Sequence, residues 1–155
     1  MNPKLKLPKT RVFFELVKEF PEYFSTSGGK PVLTEEWKDA GFALLADEKR
    51  AVIKHRTTSD MLRALGTLVT LSMYGTQKNI NLRKIPPFEF RGLMIDVSRN
   101  GVIKPDYLKK IIRVLSLMGI NKLALYTEDT YEVSGHPLIG YCRGRYSKNE
   151  LRNIS

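Results

Sequence analysis

An α/β chain in two unlike parts is what this sequence predicts, and three observations carry the prediction. Between positions 10 and 74, apolar residues at helical spacing stand on either side of two short β-type runs, which is the pattern of a small α+β layer. From position 90 onward a strand-like run, GLMIDV, is followed by an amphipathic stretch, PDYLKKIIRVLSLM, a glycine, and a second run, NKLALYT. That order is a βαβ unit, whose crossover makes the two strands parallel. The two parts are joined by TQKNINLRKIPPFE, read as a connection in which Pro86 and Pro87 enforce extended backbone. We place the boundary there, with residues 1–84 in an α+β domain and 85–155 in the βαβ part.

The elements follow in order. Val12, Phe13, Leu16, Val17 and Phe20 recur at helical spacing from Thr10 to Phe20, and Pro21 stops the pattern. STSGGK is a turn-rich break. PVLTEEW then reads either as a strand or as a helix begun by Thr34. GFALLAD and AVIKHRT flank Glu48, Lys49 and Arg50 and predict a hairpin. In TTSDMLRALGTLVTLSMYG, Leu62, Leu65, Val69 and Met73 line one face, Thr58 or Ser59 suits the cap, and Gly75 suits the end. Trp37 and this helix are assigned to the first domain's core.

In the second part Pro105 fits a first helical turn, Leu108, Ile111, Ile112, Leu115 and Met118 form the expected buried stripe, and Gly119 fits the position past the end. Parallel strands ask for cover on both faces, consistent with the apolar density of LMI and LAL. Ser147, Lys148, Asn149 and Glu150 form a capping box, so a helix should start there. With room for about two turns before Ser155, the chain reads as a fragment.

Composition narrows the function. The 155 residues hold 26 Lys and Arg against 16 Asp and Glu, a net charge of +10, which attracts polyanions in principle. Lys4, Lys6, Lys9 and Arg11 precede the first acid, but the remaining excess is dispersed, so nucleic acid is not the expected partner. No run approaches the roughly 18 apolar residues of a membrane span, and the N-terminus lacks a signal-peptide core. No membrane association is expected, and the cytoplasm is the expected location. With one cysteine, Cys142, and two separated histidines, His55 and His136, neither a disulfide nor a metal site is expected, and no cofactor is called for. His136, beside Pro137 in a turn, is given no chemistry.

Ligands in parallel α/β folds sit outside the carboxyl ends of the strands. There the first strand closes on DVSRNG and the second on TEDTYEV. Two readings of Asp96 and Arg99 stand: charges that pair and cap loops, or members of a site.

RGLMIDVSRN, LSLMG and YTEDTYEVSGHPLIGYCRGRYSKNEL together resemble the start of the catalytic barrel in family 20 glycoside hydrolases, the β-N-acetylhexosaminidases, in a bacterial branch. MLRALGTL after a hairpin resembles the accessory domain that precedes that barrel, in which PVLTEEW would be a strand. The resemblance implies an α+β accessory domain followed by a βαβ start of a (β/α)8 barrel that is incomplete, since a full barrel takes about 250 residues. It also implies a place in carbohydrate metabolism: removal of terminal N-acetylglucosamine or N-acetylgalactosamine from glycans by substrate-assisted, retaining hydrolysis.

In that family an Asp-Glu pair does the chemistry, in a motif resembling His-x-Gly-x-Asp-Glu after the fourth barrel strand. No such motif occurs here: Glu128-Asp129 has the reverse order and Asp47-Glu48 lies in the hairpin. No residue is assigned as catalytic, and the chain alone is expected to be inactive. Four residues are assigned as substrate-binding, three of them by the resemblance. Arg91 matches the arginine that holds sugar hydroxyls, and its guanidinium fork suits two adjacent oxygens. Glu128 and Asp129 correspond to acidic residues after the second strand, here in Tyr126-Thr127-Glu128-Asp129. Tyr131, like Tyr141 and Tyr146 in the long loop after the second strand, has two readings, a ring that stacks on a sugar face or ordinary loop packing, and Tyr131 is the one assigned to binding. Asp96 and Arg99 are assigned as supports that organise loops. Expected partners are N-acetylhexosamine-terminated glycans, the rest of the barrel and, because unpaired strands invite self-association, a further copy of the chain. The competing readings are a carbohydrate-binding module that stands alone, or a basic nucleic-acid-binding module.

Overall fold

The computed structural model describes residues 4–74, 79–99 and 101–154. Gly75, the expected end of the second helix, and Asn100 in the first strand's polar tail lie outside them. The chain divides into two compact units, Met1–Glu89 with Ser116–Gly119, and Phe90–Leu115 with Ile120–Ser155. Among the described residues it is a mixed α/β protein with four helices, one six-stranded sheet and one two-stranded sheet.

The first unit carries strands β1 (Leu5–Lys6), β2 (Phe24–Ser25), β3 (Lys30–Glu36), β4 (Phe42–Ala46), β5 (Ala51–His55) and β6 (Ile80–Lys84), with helices α1 (Arg11–Glu19) and α2 (Thr58–Tyr74). The sheet order is β2-β1-β3-β5-β4-β6. The hairpin is β4–β5, antiparallel from Phe42 opposite His55 to Ala46 opposite Ala51. Asp47 closes its turn, accepting hydrogen bonds from the N–H groups of Lys49 at 2.7 Å and Arg50 at 2.9 Å. PVLTEEW is β3 up to Glu36, a strand running parallel to β5.

Three strands were not expected. β1 and β2 have two residues each, too short to show a period. β6 lies in what reads as a plain connection, and it pairs antiparallel with β4. Its Ile80 and Leu82 pack against the core cluster while Asn81 and Arg83 alternate with them. That is a strand period, masked by the polar and basic residues around it.

α2 packs on β4 and β5. Its buried side chains are Asp60, Met61, Ala64, Leu65 and Leu68, which shifts the expected stripe: Leu62 and Val69 are only partly buried, and Met73 is 43% exposed. The cap is Thr57, one residue before the two candidates. Its hydroxyl accepts the Asp60 N–H at 3.1 Å and donates to the Asp60 carboxylate at 2.7 Å. In α1, Phe13 and Leu16 are buried whereas Val12 is exposed. Trp37 is half-buried and lies outside the core cluster, with the Arg83 guanidinium 4.8 Å from its ring centroid.

The second unit holds β7 (Gly92–Asp96), α3 (Pro105–Met118) up to Leu115, β8 (Lys122–Tyr126) and α4 (Lys148–Ile154). β7 and β8 pair in parallel from Gly92 opposite Lys122 to Asp96 opposite Tyr126, the expected βαβ arrangement. Gly119 follows α3 with φ +92°, a left-handed conformation that glycine adopts without strain. Of the expected stripe on α3, only Leu108 is fully buried, and Met118 is exposed. Ile95, Leu123 and Leu125 face Val97, Leu108 and Ile112 in a small core. The other face of the strand pair is open, with Met94 66% exposed, so the expected cover on both faces is not provided by the described residues.

Candidate functional site

Alternation along β7 and β8 decides what reaches the open face. With Ile95 and Leu125 committed to the core, Asp96 and its register partner Tyr126 emerge on the opposite side at the strands' carboxyl ends. Asp96 holds its own loop. Its Oδ1 accepts the Ser98 hydroxyl at 2.7 Å, the Ser98 N–H at 2.8 Å and the Arg99 N–H at 3.3 Å, while Oδ2 pairs with the Arg99 guanidinium at 3.2 Å. These bonds, the Ser98 hydroxyl first, hold the Asp96 carboxyl below the usual carboxylate range. The segment is anchored from beneath, since Val97 and Ser98 are fully buried.

Arg99 also lies over the Tyr126 ring, 5.6 Å from its centroid. Tyr126 in turn donates its hydroxyl to Glu128 Oε1 at 3.0 Å, and that carboxylate pushes the phenol up from its ordinary value. Glu128 sits in a tight turn, closed by the Thr130 N–H and hydroxyl on the Thr127 carbonyl, and has φ +47°. Asp129 pairs with Arg143 at 2.6 Å. Gly140, at φ +66°, comes so close that an added Cβ would lie 2.2 Å from the Asp129 carbonyl oxygen, which fixes the long loop against this turn.

Tyr131 is 36% exposed and forms an isolated parallel bridge with Tyr146. Tyr146 is buried, with its hydroxyl on the Ile103 carbonyl at 2.7 Å, so its ring is a core ring and does not offer a sugar platform. Tyr141 is exposed. The capping box is formed as the sequence predicts: Ser147 Oγ accepts the Glu150 N–H at 3.1 Å, and the Glu150 carboxylate accepts the Ser147 N–H at 2.8 Å. A cavity of about 260 Å³ lies further along the loop, lined among others by Glu132, Ser134, Arg145 and Lys148. None of the candidate residues lines it.

The structure thus brings together Asp96, Arg99 and Glu128 and sets Asp129 and Tyr131 in the adjoining turn and loop. Arg91 is elsewhere. It precedes β7, where its N–H donates to the Asn121 side chain at 2.9 Å and its carbonyl accepts the Asn121 N–H at 3.0 Å. Five strand residues at roughly 3.3 Å each separate Arg91 from Asp96 by about 17 Å along the strand. Tyr126 and Arg143 are the members that sequence reasoning passed over. The signal for Tyr126 was its place as the last strand residue before Glu128. For Arg143 there was none, since a partner for Asp129 fourteen residues away is visible only in three dimensions.

Chemically, the Asp96 carboxylate is taken up by Ser98 and Arg99 and the Arg99 guanidinium lies over one side of the Tyr126 ring, whereas the Glu128 carboxylate keeps acceptor capacity beyond the bond from Tyr126. Asp96, held ionised, is not a proton donor at neutral pH. Among the described residues no group of three metal-ligating side chains occurs, and no helix is long and apolar enough to cross a membrane.

No family model matches the sequence, and no curated protein matches it. Solved structures do. An exo-β-N-acetylglucosaminidase of glycoside hydrolase family 20 from Vibrio harveyi, in complex with N-acetylglucosamine, superimposes with a TM-score of 0.69 at 17% identity, covering 97% of this chain and 30% of that one. A β-N-acetylhexosaminidase from Bacteroides fragilis gives 0.68 at 16% identity over 99% of this chain and 37% of that one. The family 20 β-N-acetylhexosaminidase from Streptomyces coelicolor gives 0.61 at 19% identity, over 97% and 38%. The chain spans about a third of the length of the proteins it resembles, and its fold is the fold of that third of a family 20 β-N-acetylhexosaminidase.

Proposed function

We propose that this chain is a segment of a family 20 β-N-acetylhexosaminidase, an enzyme that releases terminal N-acetylglucosamine or N-acetylgalactosamine by substrate-assisted, retaining hydrolysis. It forms one wall of the sugar site. The observation that carries the reading is the fold shared over 97% of the chain with an enzyme solved in complex with N-acetylglucosamine. The polar cluster at the carboxyl ends of two parallel strands supports it, because ligands of such folds gather there. In this reading Arg91 binds hydroxyls deep in the pocket. Glu128, Asp129 and Tyr131 shape its mouth, and Asp96 and Arg99 hold the first strand's loop.

The 155 residues alone do not hydrolyse the bond. They contain no Asp-Glu pair in the His-x-Gly-x-Asp-Glu setting, so the acid and the group that orients the acetamide come from barrel residues outside this sequence. The partners of the segment are then the remaining barrel and N-acetylhexosamine-terminated glycans.

Two measurements test the proposal. The chain is expected to give no turnover of a chromogenic N-acetylglucosaminide, and measurable hydrolysis overturns the account of the missing acid. An NMR titration with N-acetylglucosamine, using glucose as control, is expected to shift the amides of residues 128–131 and Arg91 with a Kd of about 1 mM or weaker, worth roughly 4 kcal/mol or less. Equal shifts with both sugars, or none, would remove the sugar-binding role. Strongly salt-dependent DNA binding in their place would favour the basic-module reading.

A further inference from the structure

The cavity in the loop between β8 and α4 is lined by charges that do not neutralise one another. Glu132, Arg145 and Lys148 all border its roughly 260 Å³. Among the described residues the Glu132 carboxylate takes part in no ion pair and no hydrogen bond. Arg145 spends one terminal guanidinium nitrogen on the carbonyls of Pro137, at 3.1 Å, and Ile139. That fixes the planar group and leaves its other N–H donors for a ligand. Lys148 Nζ donates to the Ser134 hydroxyl and keeps further donors of its own. The walls are tied together from behind: the Glu132 N–H donates to the Tyr146 carbonyl at 2.8 Å, and the Tyr146 N–H to the Thr130 carbonyl at 2.9 Å, with the Tyr146 ring buried.

We propose that this cavity is a site for a single carboxylated sugar, a hexuronate. Two cations against one acid select a ligand with one negative charge. The guanidinium fork matches a carboxylate, and Lys148 adds a point charge beside it. A bare anion would leave Glu132 facing it as a like charge, whereas a sugar ring that carries the carboxylate also carries hydroxyls that donate to Glu132. A neutral sugar answers Glu132 but leaves both cations unanswered. The volume lies just below the roughly 300–1,000 Å³ of drug-sized pockets, which admits one ring and no chain. This site is independent of the N-acetylhexosamine reading, since neither Arg91 nor Glu128, Asp129 or Tyr131 lines it.

An NMR titration of the full chain at low salt with glucuronate, glucose and acetate tests the proposal. Glucuronate is expected to shift the amides of residues 132–135, 145 and 148, and to bind about tenfold more tightly than glucose, which lacks the carboxylate, or acetate, which lacks the hydroxyls. Lys148→Gln weakens glucuronate and acetate alike, each about tenfold. Glu132→Ala separates the two ligands: it weakens glucuronate by removing the hydroxyl acceptor and tightens acetate by removing a like charge. Both side chains are exposed and the Ser147–Glu150 capping box is untouched, so far-UV circular dichroism stays unchanged in both variants. Acetate binding as tight as glucuronate reduces the cavity to an adventitious anion site and overturns the proposal. So does a Glu132→Ala variant that binds glucuronate more tightly, or the absence of shifts at these amides. Glucuronate shifts here without N-acetylglucosamine shifts at residues 128–131 would uphold this site while removing the sugar-binding role proposed above.

Discussion

At Glu128 the backbone is left-handed, with φ +47°, where a side chain with a Cβ pays roughly 1–2 kcal/mol against its carbonyl. Glycine would relieve that strain but adds about 0.5–1 kcal/mol of unfolded-chain entropy, so Glu128→Gly should change stability by less than about 1 kcal/mol. It also removes the acceptor of the Tyr126 hydroxyl. If the carboxylate is there for ligand, the variant keeps its melting temperature and loses the N-acetylglucosamine shifts at residues 128–131. A large fall in melting temperature would show that the carboxylate is structural. Asp96 makes a different kind of prediction. Its folded-state pKa is depressed by the Ser98 and Arg99 contacts, so its contribution to stability is present above the unfolded value near 3.8 and is lost as pH falls through the lower folded value. A pH series of thermal melts should show stability falling below pH ~4. Asp96→Asn should be less stable at neutral pH and show a shallower acid loss, and an unchanged acid limb would contradict the assignment.

α4 tests how much one capping box contributes at the scale of an element. Its Ser147 side chain accepts the Glu150 N–H and donates to the Glu150 carboxylate, and Ser147→Ala should cost about 1 kcal/mol, read as a shift in denaturant midpoint with unchanged slope. An effect within error would mean that α4 is held by Leu151 and Ile154 against the small core alone. The box was legible because four consecutive residues define it. The hairpin, the crossover helix and both parallel strands were legible for the same reason, each having its period and its breakers inside a short window. β6 was not, since five residues alternating Ile80, Asn81, Leu82 and Arg83 beside a double proline carry too little apolar contrast to separate from a loop. The cap of α2 was misplaced by one residue because Thr57, Thr58 and Ser59 are chemically equivalent, and only packing of Met61 and Leu65 fixes the helix phase. At the candidate site, the charges were visible as residues but their pairings were not. Asp96 with Ser98 is local, yet Asp129 with Arg143 and Asp96 beside Tyr126 depend on loop closure and strand register.

Across the whole molecule the two units differ in how much they bury. The first has a continuous core running from Leu5 to Leu68, including Phe13, Phe42, Leu44 and Ile53. Among the described residues the second has three fully buried hydrophobic side chains, Val97, Leu108 and Tyr146, with partly buried neighbours and an open sheet face. Local stability follows buried apolar contacts, so the units should not unfold together. Hydrogen exchange is expected to show the amides of β3, β4 and β5 protected to the level of global unfolding, with those of β7 and β8 exchanging through a lower-energy opening. Leu44→Ala, a change at a fully buried side chain, should cost about 2–5 kcal/mol and lower protection in the first unit. Leu108→Ala should leave the β3–β5 amides as they are while collapsing protection in β7 and β8. Covering the open strand pair is what the missing barrel neighbours would do in the proposed enzyme, so adding a chain that supplies them should raise β7 and β8 protection selectively. If β7 and β8 already exchange as slowly as the first unit, the second unit completes its own core, and the case for a wall awaiting the rest of a barrel fails.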